Sequence, residues 1–156
     1  MASPQNGQPF PDFELDRFST RVARSGGPLL VVVWRTECPT CRLMMPFLER
    51  LHRFYKAASV AGIAQNQPDE VKEFTDSQKI TFSNYADTTL RITHFLGVST
   101  VPAYWLIGKD GKVLQSAEGW DRGVLEQAAQ TIASQTSSAY APLFAAADQV
   151  PAMKPG

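Results

Sequence analysis

The fold of this chain is decided by the stretch Leu29-Leu30-Val31-Val32-Val33-Trp34-Arg35-Thr36-Glu37-Cys38-Pro39-Thr40-Cys41. Its first six residues form an uninterrupted apolar run, which predicts a strand buried on both faces. After Pro39, apolar residues recur at three- and four-residue steps, the period of a helix. These residues are Leu43, Met44, Phe47, Leu48 and Leu51. The two cysteines therefore lie where a strand ends and a helix begins.

The position of the cysteine pair favours a thiolate at Cys38. Unpaired N–H groups and the helix dipole both favour an anion at a helix N-terminus, and the thiolate is the reactive form of cysteine. Two intervening residues place the cysteines one helical turn apart, within reach of a disulfide. We expect Cys38, with its sulfur at the surface, to attack a substrate disulfide. Cys41, facing the core, would then resolve the mixed disulfide.

Composition excludes several classes of protein. The chain has 156 residues, of which 44% are hydrophobic and 19% charged, as in a globular domain. Its 15 basic and 15 acidic residues give no indication of nucleic acid or of an anionic membrane as a partner. No apolar stretch reaches the roughly 18 residues of a membrane span. We expect a monomer without a cofactor, located in the cytosol unless an N-terminal export segment has been removed.

Apolar periods and turn residues divide the chain into a lead-in (1–13), a domain (14–134) and a tail (135–156). Predicted strands cover 29–35, 59–64, 80–85, 101–107 and 113–117. Predicted helices cover 16–24, 39–56, a segment beginning at 68, 88–96, and a segment after Asp121 that ends near 134. An Asp-Gly turn at 109–112 makes the last two strands a hairpin. The pattern indicates an α/β fold with a largely parallel sheet and an antiparallel edge. Three residues are expected to dock the tail: Tyr140, Leu143 and Phe144.

A second motif, Val101-Pro102, places a proline at the start of a predicted strand, where prolines are common. Combined with the cysteine motif, it is similar to the proline that thioredoxin-fold proteins hold in cis beside the active site. The backbone N–H and C=O of Val101 would then pair with an extended substrate segment above Cys38.

The chain resembles the thioredoxin superfamily, and within it the TlpA/ResA-type thiol-disulfide oxidoreductases, over about residues 8–134. The resemblance rests on the segments 10–15, 33–34, 38–41, 97–98, 101–102 and 109–112, on Pro46 and on Gly119. It implies a three-layer thioredoxin-like fold, in which helices flank a central mixed sheet. It also implies an inserted helix and strand at 66–87, before the strand that follows Pro102.

The expected substrate-binding residues are Trp34, Pro39, Thr40, Val101 and Pro102, with Cys38 and Cys41 as the catalytic pair and no metal ligands. Protein or small-molecule disulfides are the expected substrates, and an upstream thiol system would supply the electrons. A cytosolic location favours disulfide reduction.

Three positions depart from the family pattern. Val32 and Met44 stand where relatives carry buried acids, and Glu37 stands where the residue before the first cysteine is usually Trp. The proton acceptor for Cys41 therefore stays open among Glu37, water, Asp87 and Glu118.

Two other functions compete with this interpretation. A peroxiredoxin-like peroxidase would use Cys38 to attack peroxide, but such enzymes carry Thr at the position of Arg35. A metal- or copper-handling module would need further ligands, and only His52 and His94 accompany the two cysteines.

Overall fold

The computed structural model describes residues 2–156. Its strands and helices follow in chain order: β1 (Glu14–Leu15), β2 (Phe18–Ser19), α1 (Thr20–Ser25), β3 (Leu29–Trp34), α2 (Pro39–Phe54), β4 (Ser59–Ala64), α3 (Pro68–Ser77), β5 (Ser83–Ala86), α4 (Arg91–Phe95), β6 (Ala103–Ile107), β7 (Val113–Glu118), β8 (Trp120–Asp121), α5 (Arg122–Gln135) and β9 (Met153–Lys154).

The central sheet has five strands in the order β5-β4-β3-β6-β7. Strands β3, β4 and β5 run parallel, β6 runs antiparallel to β3, and β7 runs antiparallel to β6. All six residues of the central strand β3 are buried, as its apolar run predicts. Helices flank the sheet, and α3 and β5 form the insertion that precedes β6. The prediction of a thioredoxin-like fold with a mixed sheet is confirmed.

Two predicted helices are shorter in the structure because of residues with positive φ. The helix expected at 16–24 begins at Thr20, after β1 and β2 have paired around Asp16, which has a φ of 54°. The helix expected at 88–96 is only Arg91–Phe95, and Leu90 before it has a φ of 61°. Few non-glycine residues adopt this left-handed conformation, and apolar periodicity does not reveal which ones do. The starts of these two helices could therefore not be predicted from the periodicity.

The lead-in and the tail both pack on the sheet domain. Phe10 is buried against Trp105, with ring centroids 5.7 Å apart. In the tail, Leu143 and Phe144 are buried as expected, whereas Tyr140 is 42% exposed. Farther along, β9 pairs antiparallel with β8 and brings the last described residues back to the domain.

No helix within residues 2–156 is long and apolar enough to cross a membrane.

Candidate active site

Cys38 is the N-cap residue of α2, and its sulfur accepts the backbone N–H of Cys41 at 3.1 Å. One of the backbone N–H groups that have no partner within the first turn of the helix therefore donates to the Cys38 sulfur. Pro39 occupies the first helical position, where a missing N–H costs no hydrogen bond. Both cysteines are free thiols. The geometry gives Cys38 a donor that would also stabilise a thiolate.

The expected surface position of the Cys38 sulfur is wrong. Cys38 is only 3% exposed and Cys41 is fully buried. The Cys38 thiol donates to the backbone carbonyl of Val101, with a sulfur–oxygen distance of 3.7 Å. The two predicted motifs, 38–41 and 101–102, thus meet at one hydrogen bond, and the Val101–Pro102 peptide bond is cis as expected.

Burial raises the pKa of the Cys41 thiol, and its contact with the Cys38 sulfur raises that pKa further. A hydrogen bond from the Arg35 backbone and the nearby Arg35 charge oppose this effect only in part. The pair is therefore asymmetric, because Cys41 holds its proton in the reduced protein and must lose that proton before it can attack a disulfide.

The expected substrate-binding residues differ in accessibility. Pro39 is exposed, while Val101 and Pro102 are buried. Thr40 is buried, and its hydroxyl donates to the carbonyl of Pro155 at 2.7 Å. Trp34 is fully buried and gives its indole N–H to the Asn84 side chain at 3.0 Å. A substrate does not reach the Trp34 ring in this conformation, so we leave that residue out of the proposed contact surface.

The loop before Cys38 is fixed by Asn66, a residue that the sequence patterns did not single out. The Asn66 side chain accepts the Thr36 backbone N–H at 3.0 Å and donates to the Glu37 carboxylate at 2.8 Å. Asn66 follows β4, and the parallel pairing of β3 with β4 brings the ends of these strands together. Residues that follow neighbouring parallel strands meet at one edge of the sheet, so the parallel pairing of β3 with β4 indicates that Asn66 lies near the residues before Cys38.

None of the acidic candidates is bonded to the Cys41 sulfur within residues 2–156. The backbone N–H of Glu37 and the side chains of Thr36 and Asn66 hold the pKa of the Glu37 carboxyl below its usual value. Asp87 is buried and accepts the first N–H groups of α4, at 3.1 Å from Ile92 and 2.8 Å from Thr93. Val32 and Met44 are fully buried apolar residues. Glu37 and Asp87 are therefore held by partners other than the Cys41 thiol.

Neither histidine lies in a metal-binding cluster. Among the described residues, no group of three or more His, Cys, Asp or Glu side chains is placed to hold a metal ion. The aromatic residues Tyr104, Trp105 and Trp120 are buried, so they contribute to core packing, as strand alternation predicts.

The chain is similar to known proteins in sequence and in fold. The Redoxin family profile matches residues 5–132. The thiol-disulfide oxidoreductase ResA of Halalkalibacterium halodurans is 32% identical over 97 residues, which make up 60% of this chain and 53% of that protein. The chain thus spans about half the length of this relative.

Two solved structures share the fold. A candidate thiol:disulfide interchange protein DsbE from Chlorobium tepidum superposes with a TM-score of 0.75 at 23% identity, covering 85% of this chain and 99% of that one. A candidate protein disulfide isomerase from Bacteroides thetaiotaomicron gives a TM-score of 0.77 at 20% identity, covering 88% and 96%. At these identities the likeness concerns the fold alone.

Proposed function

Because the chain belongs to the Redoxin family, with the cysteine pair inside the matched region, we propose that it is a thiol-disulfide oxidoreductase of the TlpA/ResA type. One observation carries the proposal. The Cys38 sulfur lies between the Cys41 backbone N–H at 3.1 Å and the Val101 carbonyl at 3.7 Å. A nucleophilic sulfur is thereby held at a helix N-terminus, beside backbone groups that can pair with a substrate chain.

The reaction proceeds in two exchanges. The Cys38 thiolate attacks one sulfur of the substrate disulfide, the substrate S–S bond breaks, and the other substrate sulfur leaves as a thiolate that takes up a proton. Cys41 then loses its proton to water and attacks the Cys38 sulfur. The second substrate thiol is released, and a Cys38–Cys41 disulfide is left for an upstream dithiol to reduce. The substrate gains two electrons, which the protein loses.

The proposed direction is reduction of protein disulfides. Strongly oxidising dithiols owe their potential to a stabilised reduced form. We expect the equilibrium of the pair with glutathione to give a potential nearer to about −270 mV than to about −120 mV, and a value near −120 mV would indicate an oxidant instead.

The proposed substrate is an extended segment of a disulfide-bonded protein. It would lie on the exposed Pro39, on the Thr40 hydroxyl and on the backbone of Val101, next to Pro102. Backbone pairing with Val101 explains how unrelated sequences could bind, because main-chain hydrogen bonds do not depend on the substrate side chains.

Insulin reduction tests the proposal. We expect the wild-type protein to accelerate the reduction of insulin by dithiothreitol. Cys38→Ser should remove this activity, and Cys41→Ser should accumulate a mixed disulfide at Cys38, which mass spectrometry detects. Because burial raises the pKa of Cys41, the release of the mixed disulfide by the wild type should become faster as the pH rises. Asp76→Asn, an exposed site on α3, serves as the control.

Two results would contradict the proposal in different ways. Peroxide consumption without insulin reduction would indicate a thiol peroxidase. Stoichiometric copper or zinc in the purified reduced protein, lost in Cys38→Ser, would indicate a metal-handling module.

A further inference from the structure

The segment Pro151–Gly156, which we name the strap, is fixed beside the dithiol site by its backbone. In the β8–β9 ladder, Trp120 pairs with Lys154 and Asp121 with Met153. The Trp120 indole N–H donates to the carbonyl of Pro151 at 2.6 Å. The Arg122 backbone N–H donates to the carbonyl of Ala152 at 2.9 Å. The strap therefore runs as a short extended strand along the edge of β8.

The far end of the strap contacts both sides of the site. On one side, the Pro155 carbonyl accepts the hydroxyl of Thr40, which lies between the two cysteines in sequence, at 2.7 Å. On the other side, Gly156 lies so close to Val101 that a Cβ on Gly156 would overlap the Val101 carbonyl oxygen. The Cys38 thiol donates to this same carbonyl. The strap thus occupies the groups that the proposed substrate would use.

The strap is attached in a way that permits release. All six of its residues are exposed, and its contacts to the domain involve its backbone. In contrast, the preceding part of the tail is anchored by the buried side chains of Leu143 and Phe144. Segments with few buried apolar contacts open at much lower free energy than the core. The strap can therefore leave the site while the rest of the tail stays docked.

We propose that the strap is a built-in competitor of the protein substrate, which covers Cys38 in the resting protein and leaves when an extended substrate segment docks on Thr40 and Val101. This rests on the proposed function. A strap over the site accounts for the low exposure of Cys38, which is 3% although its thiol has to attack a second protein. Disulfide-bonded proteins that can replace the backbone contacts of the strap are then the preferred substrates, and small disulfides without a peptide backbone are the poorer ones.

Alkylation of Cys38 by iodoacetamide tests the cover without relying on catalysis. The rate constant is measured against pH in the reduced protein, and the modified residue is identified by mass spectrometry. At high pH the thiol is fully ionised, so the plateau reports access to the sulfur, while the midpoint reports ionisation. Gly156→Val should release the strap, since its side chain would overlap Val101. We expect the plateau to rise about tenfold, the effect of shifting a local opening equilibrium by one decade.

Met153→Ala is the matched control, because Met153 is 73% exposed and the substitution keeps the backbone of the strap. Its plateau should equal that of the wild type. A chain ending at Val150 lacks the strap altogether and should reproduce the raised plateau, independently of the valine substitution. Thermal unfolding checks that each variant is folded. If the plateau of the folded chain ending at Val150 equals that of the wild type, the strap does not cover Cys38 and the proposal is overturned.

The same variants separate this proposal from the proposed function. If released variants alkylate faster and also reduce insulin faster than the wild type, both proposals stand. If they alkylate faster while neither they nor the wild type reduce insulin, the proposal that the strap covers Cys38 is supported and the reductase proposal fails. If insulin is reduced and all alkylation plateaus are equal, the reductase proposal is supported and the proposal that the strap covers Cys38 is overturned.

Discussion

Glu49, on the buried face of α2, illustrates how one residue can join distant parts of the chain. Its carboxylate accepts the backbone N–H groups of Thr81 at 2.7 Å and Phe82 at 3.3 Å, and it pairs with Arg53 at 2.7 Å. Burial by itself would raise the pKa of Glu49, but these donors outweigh burial and hold it below its usual value. The ionised form of Glu49 is therefore part of the folded structure.

We expect Glu49→Gln to lower the free energy of unfolding at pH 7 by about 1–3 kcal/mol, because an amide is a poorer acceptor and the backbone N–H groups of Thr81 and Phe82 lose their charged partner. The pKa of Glu49 is depressed in the folded state, so its stabilisation is present above the unfolded value of about 4.3 and is lost as the pH falls through the folded value. Urea unfolding of both proteins from pH 7 down to pH 3 measures this difference, which should shrink below about pH 4.

Asp76→Asn is the control for charge removal. Asp76 pairs with Lys72 in an ion pair whose side chains are 66% exposed for Asp76 and 76% exposed for Lys72. Exposed pairs contribute about 0–1 kcal/mol, so this variant should unfold close to the wild type. Equal losses in Glu49→Gln and Asp76→Asn would show that the Glu49 contacts add nothing specific.

At the scale of elements, the sequence patterns predict strongly periodic or apolar segments best. Strand β4 has the predicted bounds 59–64, and α3 begins at the predicted Pro68. Asp121 caps α5 as expected, since its side chain accepts the Val124 N–H at 3.1 Å. The short elements α1 and α4 depart from prediction, because their starts depend on single left-handed residues and on tertiary contacts such as those of Asp87.

We expect Gly62→Ala to destabilise the pairing of β3 with β4 by about 1–3 kcal/mol, the usual cost of overpacking. A Cβ at Gly62 would overlap the Asn84 side-chain oxygen and lie 2.8 Å from the Trp34 indole nitrogen. The hydrogen bond between these two side chains would have to break. Chemical unfolding gives the loss of stability, and near-ultraviolet circular dichroism reports the changed Trp34 environment.

Gly26→Ala is the matched glycine replacement. No atom lies within 4 Å of the position of its Cβ, and its φ of −88° suits any residue. Its stability should stay within about 0.5 kcal/mol of the wild type, as for a surface substitution. A Gly62→Ala variant as stable as Gly26→Ala would mean that the sheet adapts to the added methyl group.

At the scale of the whole molecule, the tail contributes a residue, Leu143, that is as fully buried as the residues of the core. Leu143 is fully buried, and the backbone N–H groups of Leu143 and Phe144 donate to the Glu126 carboxylate of α5 at 2.8 and 3.3 Å. Asp148 pairs with Arg50 of α2 at 2.7 Å. Residues 141–148 are therefore attached to two helices of the domain.

Leu143→Ala should lower the free energy of unfolding by about 2–5 kcal/mol, as for other buried Leu-to-Ala replacements. Val22→Ala is the comparison, since Val22 is 71% exposed and loses little burial. Thermal unfolding of the two variants tests the packing of the tail. A Leu143→Ala midpoint that matched Val22→Ala would show that the tail contributes nothing to stability.

The sequence predicts the chemical groups of the site better than their surroundings. Cys38, Cys41 and Val101-Pro102 could be found because spacing and position on elements have direct chemical meaning. The strap could not, because it reaches the site through pairing with β8, which is distant in sequence, and it has no periodic pattern. Asn66 has no motif of its own, and only the parallel pairing of β3 with β4 indicates its place near Cys38. A position at the junction of a strand and a helix predicts a reactive sulfur but does not reveal what packs around it, so the expectation of an exposed Cys38 sulfur was wrong.

Helix α2 carries the dithiol at its first turn, and Glu49 and Arg50 lie side by side farther along it. Glu49 receives its donors from the inserted segment, while Arg50 holds the tail. The helix is therefore not an exchangeable unit. A chimera that moved α2 alone into a plain thioredoxin domain would keep the pair of Glu49 with Arg53 but would lose the N–H donors of Thr81 and Phe82, and a buried charge that loses its hydrogen bonds is costly. Helix, insertion and tail have to be transferred together.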